Sequence, residues 1–153
     1  MRREVTRTFI EVQHGSPEYA RTVKLRDAVL RRPLGLTFDT GELTRESDSF
    51  HLACRQGRRI VACVVLTPQG RHTVRLRQMA MAEGCQRRGI GRWLVTYAED
   101  FLWRRGYRQV ELHARESAVG FYERLGYRTA GERFVEVTVP HFRMTKRLAG
   151  RRE

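Results

Sequence analysis

One short run, Gln86-Arg87-Arg88-Gly89-Ile90-Gly91, combines donor-rich side chains with two glycines and is well suited to bind an anion. It follows Val74 to Ala82, which alternates as a strand does, and opens Ile90 to Arg105, where apolar residues recur at helical spacing. Glycines let the backbone approach a ligand, and the first N–H groups of a helix lack internal partners and lie at the positive end of its dipole. The sequence therefore predicts a turn that binds the pyrophosphate of a cofactor.

A second run, Ala118-Val119-Gly120-Phe121-Tyr122-Glu123-Arg124-Leu125-Gly126-Tyr127, follows about 30 residues later. Together the two runs resemble the signatures of the GNAT superfamily of N-acetyltransferases. Its acetyl-CoA-binding motif is written Gln/Arg-x-x-Gly-x-Gly/Ala, and Gln86, Gly89 and Gly91 fill the three fixed places. Its second signature is a helix written Ala-x-x-Phe-Tyr-x-x-x-Gly-Phe. The segments Arg31 to Leu36 and Val139 to Met144 are similar to those of ElaA-like bacterial members.

Other uses of a glycine turn fit the sequence less well. A Rossmann site lies in the first βα unit and has an acidic residue roughly 20 residues later, whereas this turn lies past the middle of the chain. A Walker A loop needs Gly-Lys-Ser/Thr, which does not occur. A plain glycine cap on a surface helix remains an alternative for the turn taken alone.

The resemblance implies the residues that bind the cofactor. In GNAT folds the strand before the turn and the strand after its helix splay apart, and the pantetheine arm pairs with the backbone of the first. Here those strands are Val74 to Ala82 and Gln109 to Ala114. An N–H of the first would polarise the thioester carbonyl, where charge develops as an amine attacks. Arg115 stands where the family often has Asn. The expected cofactor-binding set is Met79, Ala80, Met81, Gln86, Arg87, Arg88, Gly89, Ile90, Gly91, Arg92 and Arg115.

The reaction requires two proton movements, since an ammonium must lose a proton before it attacks and the departing thiolate is helped by gaining one. Tyr122 matches the family's tyrosine near the cofactor sulfur, so the resemblance implies a general acid there. The base is less defined because no glutamate stands next to Met79. His113 and His141 have the right intrinsic pKa for this role, and both are candidates. Acyl-CoA binding without catalysis is the alternative within the fold.

The order of elements predicts an α+β fold, in which helices flank a mixed, mostly antiparallel sheet. We expect strands at Val5 to Gln13, Phe50 to Arg55, Ile60 to Thr67, Tyr127 to Gly131 and His141 to Arg147, besides the two that splay. We expect helices from Ser16 to about Arg31 and from Ser117 to Leu125, and a loop with one helical turn from Asp39 to Asp48 that could act as a lid. Residues 1–149 are expected to form one domain, with a frayed tail at 150–153.

Composition limits the function classes. At 153 residues, 41% of them hydrophobic, the chain can bury a core without a metal or disulfides. Three cysteines with no metal-like spacing and no secretory leader predict reduced thiols in a cytoplasmic protein without a metal or a membrane partner. The net charge of +13 keeps a nucleic-acid-binding module as the alternative outside the fold. The expected partners are acetyl-CoA, a small-molecule or peptide amine and, as in many family members, a second copy in a homodimer.

Overall fold

The computed structural model of the chain describes residues 6–86 and 89–150. These residues form four α-helices and eight strands. The helices are α1 (Pro17–Arg26), α2 (Thr40–Arg45), α3 (Ile90–Arg104) and α4 (Val119–Arg124). The strands are β1 (Arg7–Val12), β2 (Phe50–Gln56), β3 (Arg59–Pro68), β4 (Thr73–Met81), β5 (Gln109–Arg115), β6 (Arg128–Thr129), β7 (Phe134–Glu136) and β8 (Val139–Arg147).

The strands belong to a mixed, mostly antiparallel sheet, which confirms the predicted α+β class. The chain divides into two compact units. Among the described residues, the first unit consists of 6–67, 78–86 and 89–98, and the second of 68–77 and 99–150. Strand β4 and helix α3 therefore each contribute residues to both units.

The first unit contains the antiparallel ladder β1-β2-β3. Strands β2 and β3 each contain a run of buried residues, and Leu52, Ala53 and Val64 on them are almost fully buried. Helix α1 begins at Pro17 because the Ser16 hydroxyl accepts the Tyr19 N–H at 3.1 Å and proline needs no N–H partner at that position. The ladder and α1 enclose the core of this unit, whose members include Val12, Tyr19 and Ala80.

Two helical boundaries differ from the sequence expectation. Helix α1 ends at Arg26 and continues as a π-helical turn over Asp27–Arg31, rather than as an α-helix to Arg31. The segment from Asp39 to Asp48, expected to be a loop with one helical turn, is helical over most of its length and forms α2 and a 3-10 turn over Glu46–Asp48. The cap of α2 is Asp39, whose carboxylate accepts the Glu42 N–H at 2.6 Å. Asp39 was a recognisable cap type, but nothing local in the sequence indicated that Glu46 would be buried.

The second unit is built around β5. Strand β4 runs parallel to β5 and pairs with it over Thr73–Leu76 and Gln109–Leu112, so the ladder stops at Leu76 although β4 continues to Met81. Strand β8 pairs with the other edge of β5, antiparallel along the full length from Gln109 to Arg115. Helices α3 and α4 end at Arg104 and Arg124, each one residue before the end expected from the sequence.

The sequence prediction was least accurate at the last strands. The strand expected over Tyr127 to Gly131 is only Arg128–Thr129, and β8 begins at Val139 rather than at His141. Strand β7 was not predicted, and it pairs with β8 through a tight turn at Val137 and Thr138, whose φ values are 51° and 63°. Such a hairpin turn normally carries Asn or Gly, whereas here Val137 and Thr138 adopt the positive φ values.

Candidate active site

The predicted anion-binding turn lies between β4 and α3 in the first unit. It begins with a turn in which the Cys85 N–H donates to the Ala82 carbonyl at 3.0 Å. At its other end the Trp93 N–H donates to the Gly89 carbonyl at 3.1 Å, so Gly89 provides the first acceptor of α3. The N–H groups that precede Trp93 in the first turn have no carbonyl one turn earlier within the helix. They lie at the positive end of its dipole and suit an anion.

Gly89 adopts a left-handed conformation with φ of 78°, which residues with a Cβ adopt at a cost. Among the described residues, a Cβ at this position would meet only the edge of the Trp93 indole, at 3.8 Å, so these residues leave the space around the glycine open. The backbone of the turn is therefore accessible to a ligand. This is the geometry that a pyrophosphate cradle requires, and the residues present fit the cofactor that the sequence implied.

The other predicted residues of the turn divide by burial. Ile90 and Gly91 are buried and fix the start of α3 in the unit, whereas Gln86 and Arg92 are exposed. Arg87 and Arg88 lie outside the described residues. The exposed Trp93, with 61% of its surface accessible, was not singled out in the sequence. Its ring lies beside Gly89, so it is a natural reporter of binding at the turn.

The strand before the turn has a kink that the sequence did not predict. Gln78 has φ of 52°, a left-handed conformation inside β4. Its side-chain oxygen accepts a hydrogen bond from Arg26 at 2.7 Å. The three predicted pantetheine-binding residues follow immediately: Ala80 is buried in the core of the unit, and Met79 and Met81 are half-buried.

Arg26 belongs to a buried polar cluster in the first unit. Its guanidinium is fully buried and donates to both oxygens of Glu46, at 2.8 Å each, and the Tyr19 hydroxyl donates to Glu46 at 2.7 Å. Burial alone would raise the pKa of Glu46, but the hydrogen bonds and charge of Arg26 outweigh it and lower that pKa. Burial and the adjacent Glu46 raise the pKa of Tyr19. The cluster therefore holds one carboxylate and one guanidinium in a fixed arrangement.

Tyr122, the expected acid, lies in the second unit on α4. Its side chain is buried, with 7% accessible, and its ring packs edge-on against Phe121 and Tyr127 at centroid distances of 5.0 and 5.7 Å. Burial raises the pKa of Tyr122, so the phenol keeps its proton at neutral pH. The neighbouring Tyr127 hydroxyl donates to Glu99 at 2.8 Å.

The two candidate bases share a cluster at the β7-β8 hairpin of the second unit. Glu136 lies between them, with one oxygen 3.2 Å from His113 Nδ1 and the other 3.7 Å from His141 Nε2. Phe134 contacts both rings, edge-on to His113 and stacked on His141. The Glu136 and Phe134 contacts depend on β7, which explains why the sequence did not reveal them. Arg115, at the end of β5, pairs with His141 in the register of β5 and β8.

The two histidines differ in their hydrogen bonds. His113 Nδ1 lies 2.7 Å from Arg75, and because a guanidinium can only donate, this nitrogen is the acceptor; the longer contact with Glu136 would need a proton on the same atom. His141 Nδ1 lies 2.7 Å from the Val139 carbonyl and is therefore the donor, which leaves the lone pair of the neutral ring on Nε2. Hydrogen bonding thus leaves a proton-accepting nitrogen on His141 and not on His113.

Residues 6–86 and 89–150 contain no group of three or more metal-capable side chains. Their helices include none with the length and apolar character needed to cross a bilayer.

The chain matches the family model described as acetyltransferase (GNAT) domain over residues 39–148. This match covers most of the chain and includes the turn, β4 and the second signature. The chain belongs to the GNAT acetyltransferase family. The resemblance read from the two runs is therefore confirmed.

Relatives of this GNAT chain agree with the assignment. It is 37% identical over 75 residues to a candidate acetyltransferase of Bacillus subtilis, a match that covers 49% of the chain and 51% of that relative. The chain thus spans about half the length of this curated relative.

Solved structures share the GNAT fold over nearly the whole chain. A candidate N-acetyltransferase from Lactobacillus plantarum superimposes with a TM-score of 0.83 at 27% identity, covering 94% of this chain and 99% of that one. Escherichia coli ElaA gives 0.79 at 19% identity, with 92% and 99% covered. An Elizabethkingia anophelis GNAT acetyltransferase with acetyl-CoA bound gives 0.72 at 18% identity, with 93% and 98% covered.

Proposed function

We propose that this GNAT protein is an N-acetyltransferase that transfers the acetyl group of acetyl-CoA to a primary amine. The observation that carries the proposal is the left-handed Gly89 turn, which presents the first N–H groups of α3 to a space that is open among the described residues. Membership of the GNAT family supports acetyl-CoA as the ligand of that turn, because Gln86, Gly89 and Gly91 fill the Gln-x-x-Gly-x-Gly motif. An acetyl-CoA-bound structure of the same fold is consistent with this assignment.

Binding would divide between backbone and side chains. The backbone N–H groups from Gly89 to Arg92 would bind the pyrophosphate, and the exposed side chains of Gln86 and Arg92 would contact it or the adjacent phosphate. We also assign Arg87, Arg88 and Arg115 to this set from the sequence. The net charge of +13 would speed the capture of a cofactor that carries several negative charges.

The backbone of Met79, Ala80 and Met81 would hold the pantetheine arm. An open strand edge binds an extended chain through main-chain hydrogen bonds. The β4-β5 ladder stops at Leu76, so these three residues lie beyond the last pair of the ladder. The bound thioester supplies the acetyl group in activated form, and an N–H of this strand would stabilise the charge on its carbonyl oxygen.

Tyr122 would act as the general acid. Because burial raises the pKa of Tyr122, its hydroxyl stays protonated and can give that proton to the sulfur as the C–S bond breaks.

His141 would act as the general base, in preference to His113. Its Nδ1–H is held by the Val139 carbonyl, so Nε2 can take the proton that the amine loses as the N–C bond forms. Glu136, 3.7 Å from this nitrogen, would stabilise the imidazolium that results. His113 is less suited because its Nδ1 already accepts from Arg75.

The burial of the cysteine thiols is consistent with direct attack by the amine in a ternary complex. Cys54, Cys63 and Cys85 are all buried. Burial raises the pKa of Cys54 and raises that of Cys63 to about 12, so neither forms the thiolate that an acyl-enzyme would need. The acceptor class is a primary amine of a small molecule or a peptide.

Release of free CoA, measured with a thiol reagent in the presence of a panel of primary amines, tests the proposal. We expect amine-dependent release, and His141→Gln should reduce it by about a hundredfold, as loss of a positioned base does. The exposed His72, replaced by Gln, is the matched control and should leave the rate unchanged. Amine-independent release, or none across the panel while acetyl-CoA binds, would contradict transfer to an amine. A larger loss in His113→Gln than in His141→Gln would assign the base to His113.

A further inference from the structure

The backbone conformation of Gln78 is unusual for its place in a strand. Three non-glycine residues in the described ranges have positive φ, and two of them, Val137 and Thr138, form the β7-β8 turn. Gln78 is the third, and it lies in β4 just past Leu76, where the ladder with β5 stops. A left-handed residue bends a strand and re-aims the residues after it, at a cost in free energy that the surrounding structure must offset.

The side chain of Gln78 is held by a group that has little freedom to move. Its oxygen accepts from Arg26 Nη1 at 2.7 Å, and the same guanidinium is fixed by two hydrogen bonds to Glu46. Phe38 also packs on the guanidinium, with its ring centroid 5.0 Å from Cζ. Since Arg26 is fully buried, an alternative position for it would leave a charge without a partner.

We propose that Arg26 is a positioning residue that holds Gln78 in its left-handed conformation and thereby aims the backbone of Met79, Ala80 and Met81 at the pantetheine arm. Glu46 acts through Arg26 by fixing its guanidinium. This inference rests on the proposed function, which assigns those three residues to the arm. It adds a source of preorganisation outside the turn: α1 supplies the arginine and the 3-10 turn after α2 supplies its carboxylate.

The reason for such a device lies in the precision that strand binding needs. Donors that stabilise charge on a thioester carbonyl must be in place before the reaction. Without the hydrogen bond from Arg26, nothing in the Gln78 side chain would favour a left-handed backbone. The β4 segment would relax towards ordinary extended geometry, in which Met79 to Met81 would point elsewhere.

Two ligands distinguish binding at the segment Met79 to Met81 from binding at the glycine turn. Free CoA would contact both, whereas the phosphoadenosine diphosphate half of CoA lacks the pantetheine arm and would contact only the turn. We define the affinity ratio as the dissociation constant of the nucleotide half divided by that of free CoA. This ratio measures what the β4 segment contributes to binding. If the contact between Arg26 and Gln78 served stability alone, its loss would lower the melting temperature of the variant without changing this ratio.

The test uses substitutions at Gln78 measured by isothermal titration with both ligands. Gln78→Ala removes the acceptor but keeps a Cβ at positive φ. We expect the ratio to fall about tenfold, because the left-handed conformation is disfavoured by about that factor for a residue with a Cβ. Gln78→Gly removes the strain and should recover most of the ratio. If the alanine variant does not fold, Gln78→Asn tolerates the conformation but cannot reach Arg26 and should give an intermediate ratio. The control is Gln56→Ala, which removes an exposed amide that accepts from Arg7 and should leave the ratio unchanged.

The outcomes distinguish the two claims. If the wild type binds neither ligand, the proposed function fails. If it binds CoA more tightly than the nucleotide half, and the alanine and glycine variants both keep that ratio, only the positioning role is overturned. A ratio lowered in Gln78→Ala and restored in Gln78→Gly supports it.

Discussion

Breaking the buried Arg26–Glu46 pair should reduce stability far more than breaking an exposed pair. Arg26 is fully buried and makes two 2.8 Å contacts with Glu46, which is itself buried. Arg26→Met leaves the carboxylate with the Tyr19 hydroxyl as its remaining side-chain donor, so we expect a loss of about 3–5 kcal/mol in the free energy of unfolding. This is a large part of the 5–15 kcal/mol, roughly, that a domain has in total.

Urea denaturation followed by circular dichroism measures this loss. Glu46→Gln should cost a similar amount, and the double variant should be less destabilised than the sum of the two by about 2 kcal/mol, because the second substitution removes a charge already left unpaired. Arg133→Met is the matched control: it breaks an ion pair with Glu116 in which both side chains are more than half exposed, and it should cost less than about 1 kcal/mol. Additive single effects, or a loss at Arg26 no larger than at Arg133, would refute the reasoning.

The same pair predicts a pH dependence. The pKa of Glu46 in the folded protein lies below its ordinary value of 4.5, because Arg26 outweighs the cost of burial. The unfolded chain therefore binds the proton more tightly, and the stabilisation is fully present above pH 4.5 and lost as the pH falls towards the folded pKa. The stability difference between wild type and Glu46→Gln should shrink over that acidic range. A difference independent of pH would contradict the assignment.

Three further predictions concern the site. Tyr122→Phe should lower kcat more than acetyl-CoA affinity, with little loss of stability. Tyr127→Phe removes a hydrogen bond and should cost about 1 kcal/mol in stability but leave kcat unchanged. Equal rates for both variants would remove Tyr122 from the mechanism. Gly89→Ala and Gly15→Ala place a Cβ at φ of 78° and 82°, and each should lower the free energy of unfolding by about 1–2 kcal/mol. Only Gly89→Ala should weaken acetyl-CoA binding in titration calorimetry. Equal losses of affinity in the two variants would show that the cofactor binds elsewhere. Cys63 should not react with iodoacetamide in the native protein, since its thiol is buried with a pKa of about 12, and mass spectrometry that finds it alkylated before unfolding would contradict this.

Features encoded by neighbouring residues could be predicted from the sequence. The start of α1 needs only Ser16 and Pro17, and the turn before α3 needs only its glycines and the change from alternating to helical spacing. Those local signals, with the two family signatures, were sufficient for the fold class and for the position of the glycine turn between β4 and α3.

Features that depend on contacts between residues distant in the sequence could not be predicted from it. The Arg26–Glu46 pair joins residues on separate helical segments, and the cluster of Glu136 with its two histidines exists only once β7 and β5 both pair with β8. The kink at Gln78 had no signal either, because glutamine has no preference for positive φ and its partner lies on α1. In each case the missing information was the tertiary contact.

The central claim is that the turn before α3 binds acetyl-CoA, and isothermal titration of the purified protein with acetyl-CoA tests it most directly. A nonspecific DNA duplex at moderate salt is the comparison, since the net charge of +13 alone would attract it. The account predicts saturable, micromolar binding of acetyl-CoA without comparable binding of DNA. The absence of acetyl-CoA binding, together with strong salt-dependent binding of DNA, would contradict it and make the glycine turn an ordinary helix cap.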